Sequence, residues 1–121
     1  MLEGIAHQAK EVTGAMQADT GVPLTGLRVD GGVAKSNELL QYQADLCNVT
    51  VERPSDVETT AMGAAIAAGL GAGVWGSVAE LPSSDADVER SFVPAISEGE
   101  RRKRCERWAR AVQASFGWAN L

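Results

Sequence analysis

Leu27-Arg28-Val29-Asp30-Gly31-Gly32 reads as a strand running into a glycine turn, and Ser36-Asn37 then opens an amphipathic run. Two adjacent glycines let a backbone come close to a bulky anion without a Cβ clash. The free N–H groups in the first turn of the following helix would point at that anion. On physics alone, Gly31 and Gly32 mark an anion-binding turn. Asp30 ends the strand beside it, either to accept hydrogen bonds from the turn's N–H groups or to approach a nucleotide or its magnesium through water.

Outward from this turn, the periodicities describe an α/β chain. Leu39, Leu40, Ala44, Leu46 and Cys47 mark the buried face of a helix, and Val49, Thr50 and Val51 the next strand. Strand, helix and strand with no tight hairpin form a βαβ unit, whose strands must be parallel and whose crossover is right-handed. Upstream, Leu2, Ile5, Ala6, Ala9, Val12 and Met16 recur at helical spacing. Residues 2 to about 18 are therefore an amphipathic helix, ended by Thr20-Gly21-Val22-Pro23, with His7 in a packing or surface role beside its stripe.

Downstream, Ser55-Asp56-Val57-Glu58 has capping-box spacing and predicts a helix directly after Pro54. Ala61, Gly63, Ala64, Ala65, Ala67, Ala68 and Gly69 give that helix little bulk, so the expectation is close packing against the sheet, with direct ligand contact as the alternative, and Met62, Ile66 and Leu70 as its larger contacts. Ser77-Val78-Ala79-Glu80 predicts one helical turn, Ser83 to Glu89 an acidic surface loop. Ser97 to Glu100 begins a final helix that docks through Cys105, Trp108, Val112 and Phe116.

Composition narrows the function classes. The 121 residues, 45% hydrophobic, suit one domain without repeat, low-complexity segment or second-domain linker, able to bury roughly two-thirds of its unfolded surface if the domain is complete. Eleven Lys and Arg against 16 Asp and Glu give a net charge of -5, which argues against nucleic acid as a partner. The cluster Arg101, Arg102, Lys103, Arg104, Arg107 and Arg110 reads as a solvated helix face, with an anion-binding patch as the alternative. Cys47 and Cys105 have no metal-ligand or redox spacing and read as buried thiols, so the metal-site expectation is none. With no apolar run of membrane-spanning length and no secretory signal, membrane association is not expected. The expected compartment is the cytoplasm, and Asn48-Val49-Thr50 is a chance sequon.

Gly71-Ala72-Gly73-Val74-Trp75-Gly76 matches G-x-G-x-x-G literally but follows a helix rather than a strand, so it reads as a helix terminus. Walker, nucleophile-elbow and calcium-loop patterns are absent, and no residue is assigned a catalytic role.

Taken in order, further segments resemble the C-terminal part of the FGGY carbohydrate kinases, and within that family its glycerol kinase branch. The carriers are Glu3 to Gln8, Leu27 to Gly32, Gln41-Tyr42-Gln43-Ala44-Asp45, Val51-Glu52-Arg53-Pro54, Glu58 to Ala65, Ala68-Gly69-Leu70 with Gly73-Val74-Trp75, Phe92-Val93-Pro94 and Trp108 to Val112. The resemblance implies an actin-like, ribonuclease H-like ATPase fold, with residues 1–121 forming the C-terminal part of the second, nucleotide-binding lobe. It implies ATP or ADP with Mg2+ as the ligand, and transfer of the γ-phosphoryl group to glycerol by the whole enzyme, with a homo-oligomer of that enzyme as a further possibility. Carried over by position, Gly32 contacts the nucleotide through its backbone and Gly31 permits the approach. Ser36 stands where the family usually has asparagine, and Asn37 is the candidate cap of the helix. The glycerol-binding residues and the aspartate base lie upstream of the matching segment in that family. The chain alone is therefore expected to be inert, and to leave a sheet edge or apolar face uncovered. The alternative expectation is a non-catalytic binding or regulatory module derived from such a kinase.

Overall fold

A computed structural model describes residues 2–81 and 88–117. Helix α1 (Leu2–Thr20) leads to strand β1 (Gly26–Arg28), a 3₁₀ turn (Gly32–Lys35), helix α2 (Asn37–Cys47) and strand β2 (Thr50–Pro54). Helix α3 (Thr59–Gly71), a second 3₁₀ turn (Val78–Glu80), strand β3 (Val88–Phe92) and helix α4 (Glu98–Ser115) follow. The sheet has the order β1-β2-β3. Strands β1 and β2 are parallel, with Leu27 opposite Val51, which establishes the βαβ unit. Among the described residues no helix is long and apolar enough to cross a membrane.

Helix α2 joins the layers. Its Leu40 and Ala44 meet Val51 of β2 and Phe92 of β3, with Leu27 and Val29 against them. Its Leu39 and Leu46 form a second cluster with Ala6 of α1, flanked by Tyr42 and Cys105. One helix buries residues on two sides because it lies between the sheet and the pair α1 and α4.

The final helix begins as its sequence requires: the Ser97 hydroxyl accepts from the Glu100 N–H at 3.2 Å. Its cationic run is not wholly solvated, however. Arg101 is 8% exposed and donates to the Asp45 carbonyl (2.7 Å), the Asn48 side-chain oxygen (2.8 Å) and the Glu98 carboxylate. These acceptors, all but Glu98 supplied by the end of α2 and its left-handed cap Asn48, replace the water that the guanidinium loses. The docking stripe is also shorter than expected. Trp108 packs over Gly4 and stacks on His7, but Phe116, two turns further on, is 67% exposed.

Three other expectations are corrected. The Ser55 to Glu58 box does not start a helix: α3 begins at Thr59, its N-cap Glu58 makes no side-chain cap, and the Asp56 carboxylate takes the Glu58 N–H at 2.8 Å. That local turn competes with helix formation, while Val57 is tied to the glycine turn. The acidic stretch is not all loop, because Val88 and Glu89 belong to β3, paired antiparallel to β2; residues 83–87 lie outside those described. Cys47 and Cys105 are half-buried rather than buried free thiols.

Helix α3 departs furthest from expectation. None of its residues is buried, Met62 is 51% exposed, and a Cβ on Gly63 would meet nothing within 4 Å. Its C-terminus does follow the sequence reading. Gly73, at φ +74°, donates to Leu70 and Val74 donates to Gly69, a glycine-terminated helix end. Trp75 lies on Gly69 so closely that any side chain there would collide with its ring. The small residues Ala61, Gly63, Ala64, Ala65, Ala67 and Ala68 are all exposed.

Leu46, fully buried between α1 and α2, and Met62, on the open helix, should respond differently to truncation. Leu46→Ala is expected to lower unfolding stability by about 2–5 kcal/mol. Met62→Ala is expected to stay within about 0.5 kcal/mol of the parent chain, as measured by urea denaturation.

Candidate functional site

The glycine turn follows the C-terminal end of β1. Gly31 adopts φ 84° and ψ 171°, a region that only glycine enters without strain. Its N–H donates to the Val57 carbonyl at 2.9 Å, and Asp30 accepts a hydrogen bond from the Thr59 hydroxyl. Asp30 therefore serves the junction with α3; the partner found is a hydroxyl rather than a turn N–H. Gly32 is exposed and opens the 3₁₀ turn, with open space where its Cβ would be.

Of the four residues predicted to face a ligand, the two glycines form the turn surface and the other two have structural partners. Ser36, not Asn37, caps α2: its hydroxyl accepts from the Leu39 N–H at 3.2 Å and donates to Glu38 at 3.1 Å. The Glu38 carboxyl is held below its usual range first by a backbone N–H and then by this hydroxyl. The Asn37 side-chain oxygen accepts from Arg53 at 3.0 Å.

Arg53 is the residue that sequence reasoning missed. It is 7% exposed on β2, and its guanidinium also donates to the carbonyls of Ala34 (3.1 Å) and Lys35 (3.3 Å) and to the Glu89 carboxylate (2.8 Å). It lies 5.7 Å from the Phe92 ring centroid. A signal was available: Val51, Glu52 and Arg53 alternate across the strand, so Arg53 shares the inward side with Val51 and must find acceptors there.

The motif Gln41 to Asp45 is likewise structural. Gln41 donates to the Val93 carbonyl (2.8 Å) and to Asp45 (3.0 Å), and Asp45 accepts from the Ala95 N–H (2.8 Å), fastening the chain ahead of α4 to α2.

A separate cleft of about 770 Å³ opens between α1, α2 and α4, lined by Glu3, His7, Tyr42, Arg104, Arg107 and Trp108 among others. His7 stacks on Trp108 at 4.9 Å and meets Tyr42 edge-on, which agrees with the packing role expected of it. Burial pushes its pKa below the ordinary value of 6.5, against the opposing charges of Glu3 and Glu11; Lys10 and Arg104 add to the depression. The cleft shares no residue with the glycine turn.

The C-terminal domain of the FGGY family of carbohydrate kinases matches residues 1–72. The chain belongs to that family. It is 47% identical over 120 residues to the glycerol kinase of Vibrio vulnificus, which covers 99% of this chain and 24% of that protein. Among solved structures it superposes on Plasmodium falciparum glycerol kinase with ADP at a TM-score of 0.73 and 32% identity, over 95% of this chain and 23% of that one. A Lactobacillus acidophilus xylulose kinase, at a TM-score of 0.68 and 21% identity over 96% of this chain and 24% of that one, shares the fold. That fold is the actin-like ATPase fold of FGGY sugar kinases. The FGGY chain thus spans about a quarter of the length of the curated relatives it matches.

The cap and the histidine can each be tested. Ser36→Ala should cost about 1 kcal/mol of stability, whereas Ser36→Asn, an equally good cap, should cost almost nothing in the same denaturation assay. Because the folded state lowers the His7 pKa, the unfolded state binds more protons just below pH 6.5, and stability should fall as pH drops through that region. His7→Phe, which keeps a ring against Trp108, should flatten the change in melting temperature between about pH 7.5 and 5.5.

Proposed function

We propose that this chain forms the C-terminal part of the nucleotide-binding lobe of an ATP-dependent glycerol kinase, with the Gly31-Gly32 turn as one wall of the nucleotide site. The observation that carries the reading is the turn itself: two glycines after a parallel strand, the half-buried Gly31 in a conformation reserved for glycine and the exposed Gly32 beside it. The similarity to a glycerol kinase solved with ADP and to curated glycerol kinases supports it. Gly32 would meet the adenine nucleotide through its backbone, with Gly31 permitting the approach. Ser36 and Asn37 would border the adenosine part, Ser36 from its place as the cap of α2.

In the whole enzyme the γ-phosphoryl group of ATP would pass to a terminal hydroxyl of glycerol, giving glycerol 3-phosphate. Mg2+ would accompany the ATP. Phosphoryl transfer depends on positioning the acceptor and stabilising charge on the moving group. Glycerol binding and the base that receives its proton are assigned to residues beyond these 121. The chain alone would hold nucleotide without turning it over.

Calorimetric titration with ADP tests the reading. The 121-residue chain should bind ADP, Gly31→Val should weaken binding by about tenfold or more through backbone strain, and Ser36→Asn should tighten it. Glycerol-dependent ADP production should not exceed a protein-free control. Equal affinity in the parent chain and Gly31→Val would remove the turn from the site.

A further inference from the structure

The 3₁₀ turn at the glycines, Gly32–Lys35, is a short element of four residues. Backbone hydrogen bonds join it to its flanks, Ala34 N–H to the Gly31 carbonyl and Ser36 N–H to the Val33 carbonyl, both 3.1 Å. Runs of this length have poor hydrogen-bond geometry and need outside support to hold one conformation. Its leading end has such support, from Gly31 N–H on Val57 and from Asp30 on Thr59. Its trailing end has the carbonyls of Ala34 and Lys35, and both accept from a single guanidinium nitrogen of Arg53.

We propose that Arg53 is the positioning residue of the nucleotide-facing turn: from β2 it fixes the trailing end of Gly32–Lys35, and Glu89 of β3 fixes Arg53. The proposal rests on the nucleotide reading above and adds the device that holds that wall in place. The same nitrogen reaches Asn37, so one side chain ties the 3₁₀ turn and the first residue of α2 to the middle strand of the sheet. Planarity lets the guanidinium serve this group of acceptors and Glu89 at once, which a lysine ammonium on a flexible stem does not reproduce. The Glu89 bond, 2.8 Å to Nε, sets the angle at which the guanidinium meets the turn. Glu89 is half-exposed, so the fastening continues to the edge strand without burying a second charge.

Arg53 acts through the turn and makes no contact with the nucleotide in this account. Its removal should loosen the turn selectively. In Arg53→Met, which keeps an unbranched apolar stem in the core, amide hydrogen exchange at Ala34 and Ser36 should accelerate about tenfold, while Ala44 and Leu46 in α2 keep their protection. The ADP dissociation constant should rise about tenfold in the same variant. Arg53→Lys should fail to restore either quantity. Glu89→Ala, at a half-exposed position, should give the same pattern at about threefold, and it decides the matter alone if Arg53→Met does not fold.

Exchange that rises equally at Ala34, Ser36, Ala44 and Leu46 would reduce Arg53 to a general stabiliser and overturn the proposal. So would an unchanged ADP affinity in the Arg53 and Glu89 variants while the parent chain binds ADP and Gly31→Val does not; the nucleotide reading would then survive. A parent chain that fails to bind ADP would overturn the nucleotide reading, and this proposal with it.

Discussion

Burial on two sides of α2 is the constraint on which the other described elements depend. Leu40 and Ala44 face the sheet while Leu39 and Leu46 face α1, so removing either layer would expose apolar surface on the helix that connects the parallel strands. The polar groups of the same helix complete the arrangement. Gln41 and Asp45 hold the segment before α4, and the last turn of α2 with Asn48 supplies acceptors to the buried Arg101. A motif that reads as a family signature is, in physical terms, the fastening between α2 and the chain that returns as α4.

Two buried arginines divide the work of holding irregular backbone. Arg101 fixes the start of α4, and Arg53 fixes the turn after the glycines. Each is taken out of water only because carbonyls and side-chain oxygens surround it, and losing those acceptors would leave a desolvated charge. Both therefore specify geometry more than they add stability. The glycine turn shows why such specification matters. It carries no side chain and cannot pack, so its position is inherited from Val57, Thr59 and Arg53 around it.

Helix α3 and the cleft beside His7 show two opposite uses of surface. The cleft is lined by the Glu100–Arg104 ion pair and by the stacked rings of His7 and Trp108, among others. Helix α3 is almost entirely small and apolar, yet none of its residues is fully buried among the described residues. Its tethered first turn and exposed body agree with a chain that spans about a quarter of its relatives' length. The expectation of an uncovered apolar face is met on this helix, whereas the expected packing of its glycine against the sheet is not.

The sequence by itself determined the periodic elements and the glycine turn, since local spacing fixes which residues share a helix face and which backbone positions exclude a Cβ. Helix α1, the parallel βαβ unit, the Ser97 cap and the Gly73 helix end were all legible for that reason. Partners that lie far along the chain were not legible. Strand β3 pairs through backbone groups of residues that look like acidic loop, Ser36 rather than Asn37 took the cap, and Asp30 met a hydroxyl 29 residues away. Arg53 could be read as inward-facing, but not as the anchor of residues 16 to 19 positions earlier. Tertiary structure decided these, because a buried charge or an unpaired strand is satisfied by whatever the fold brings to it.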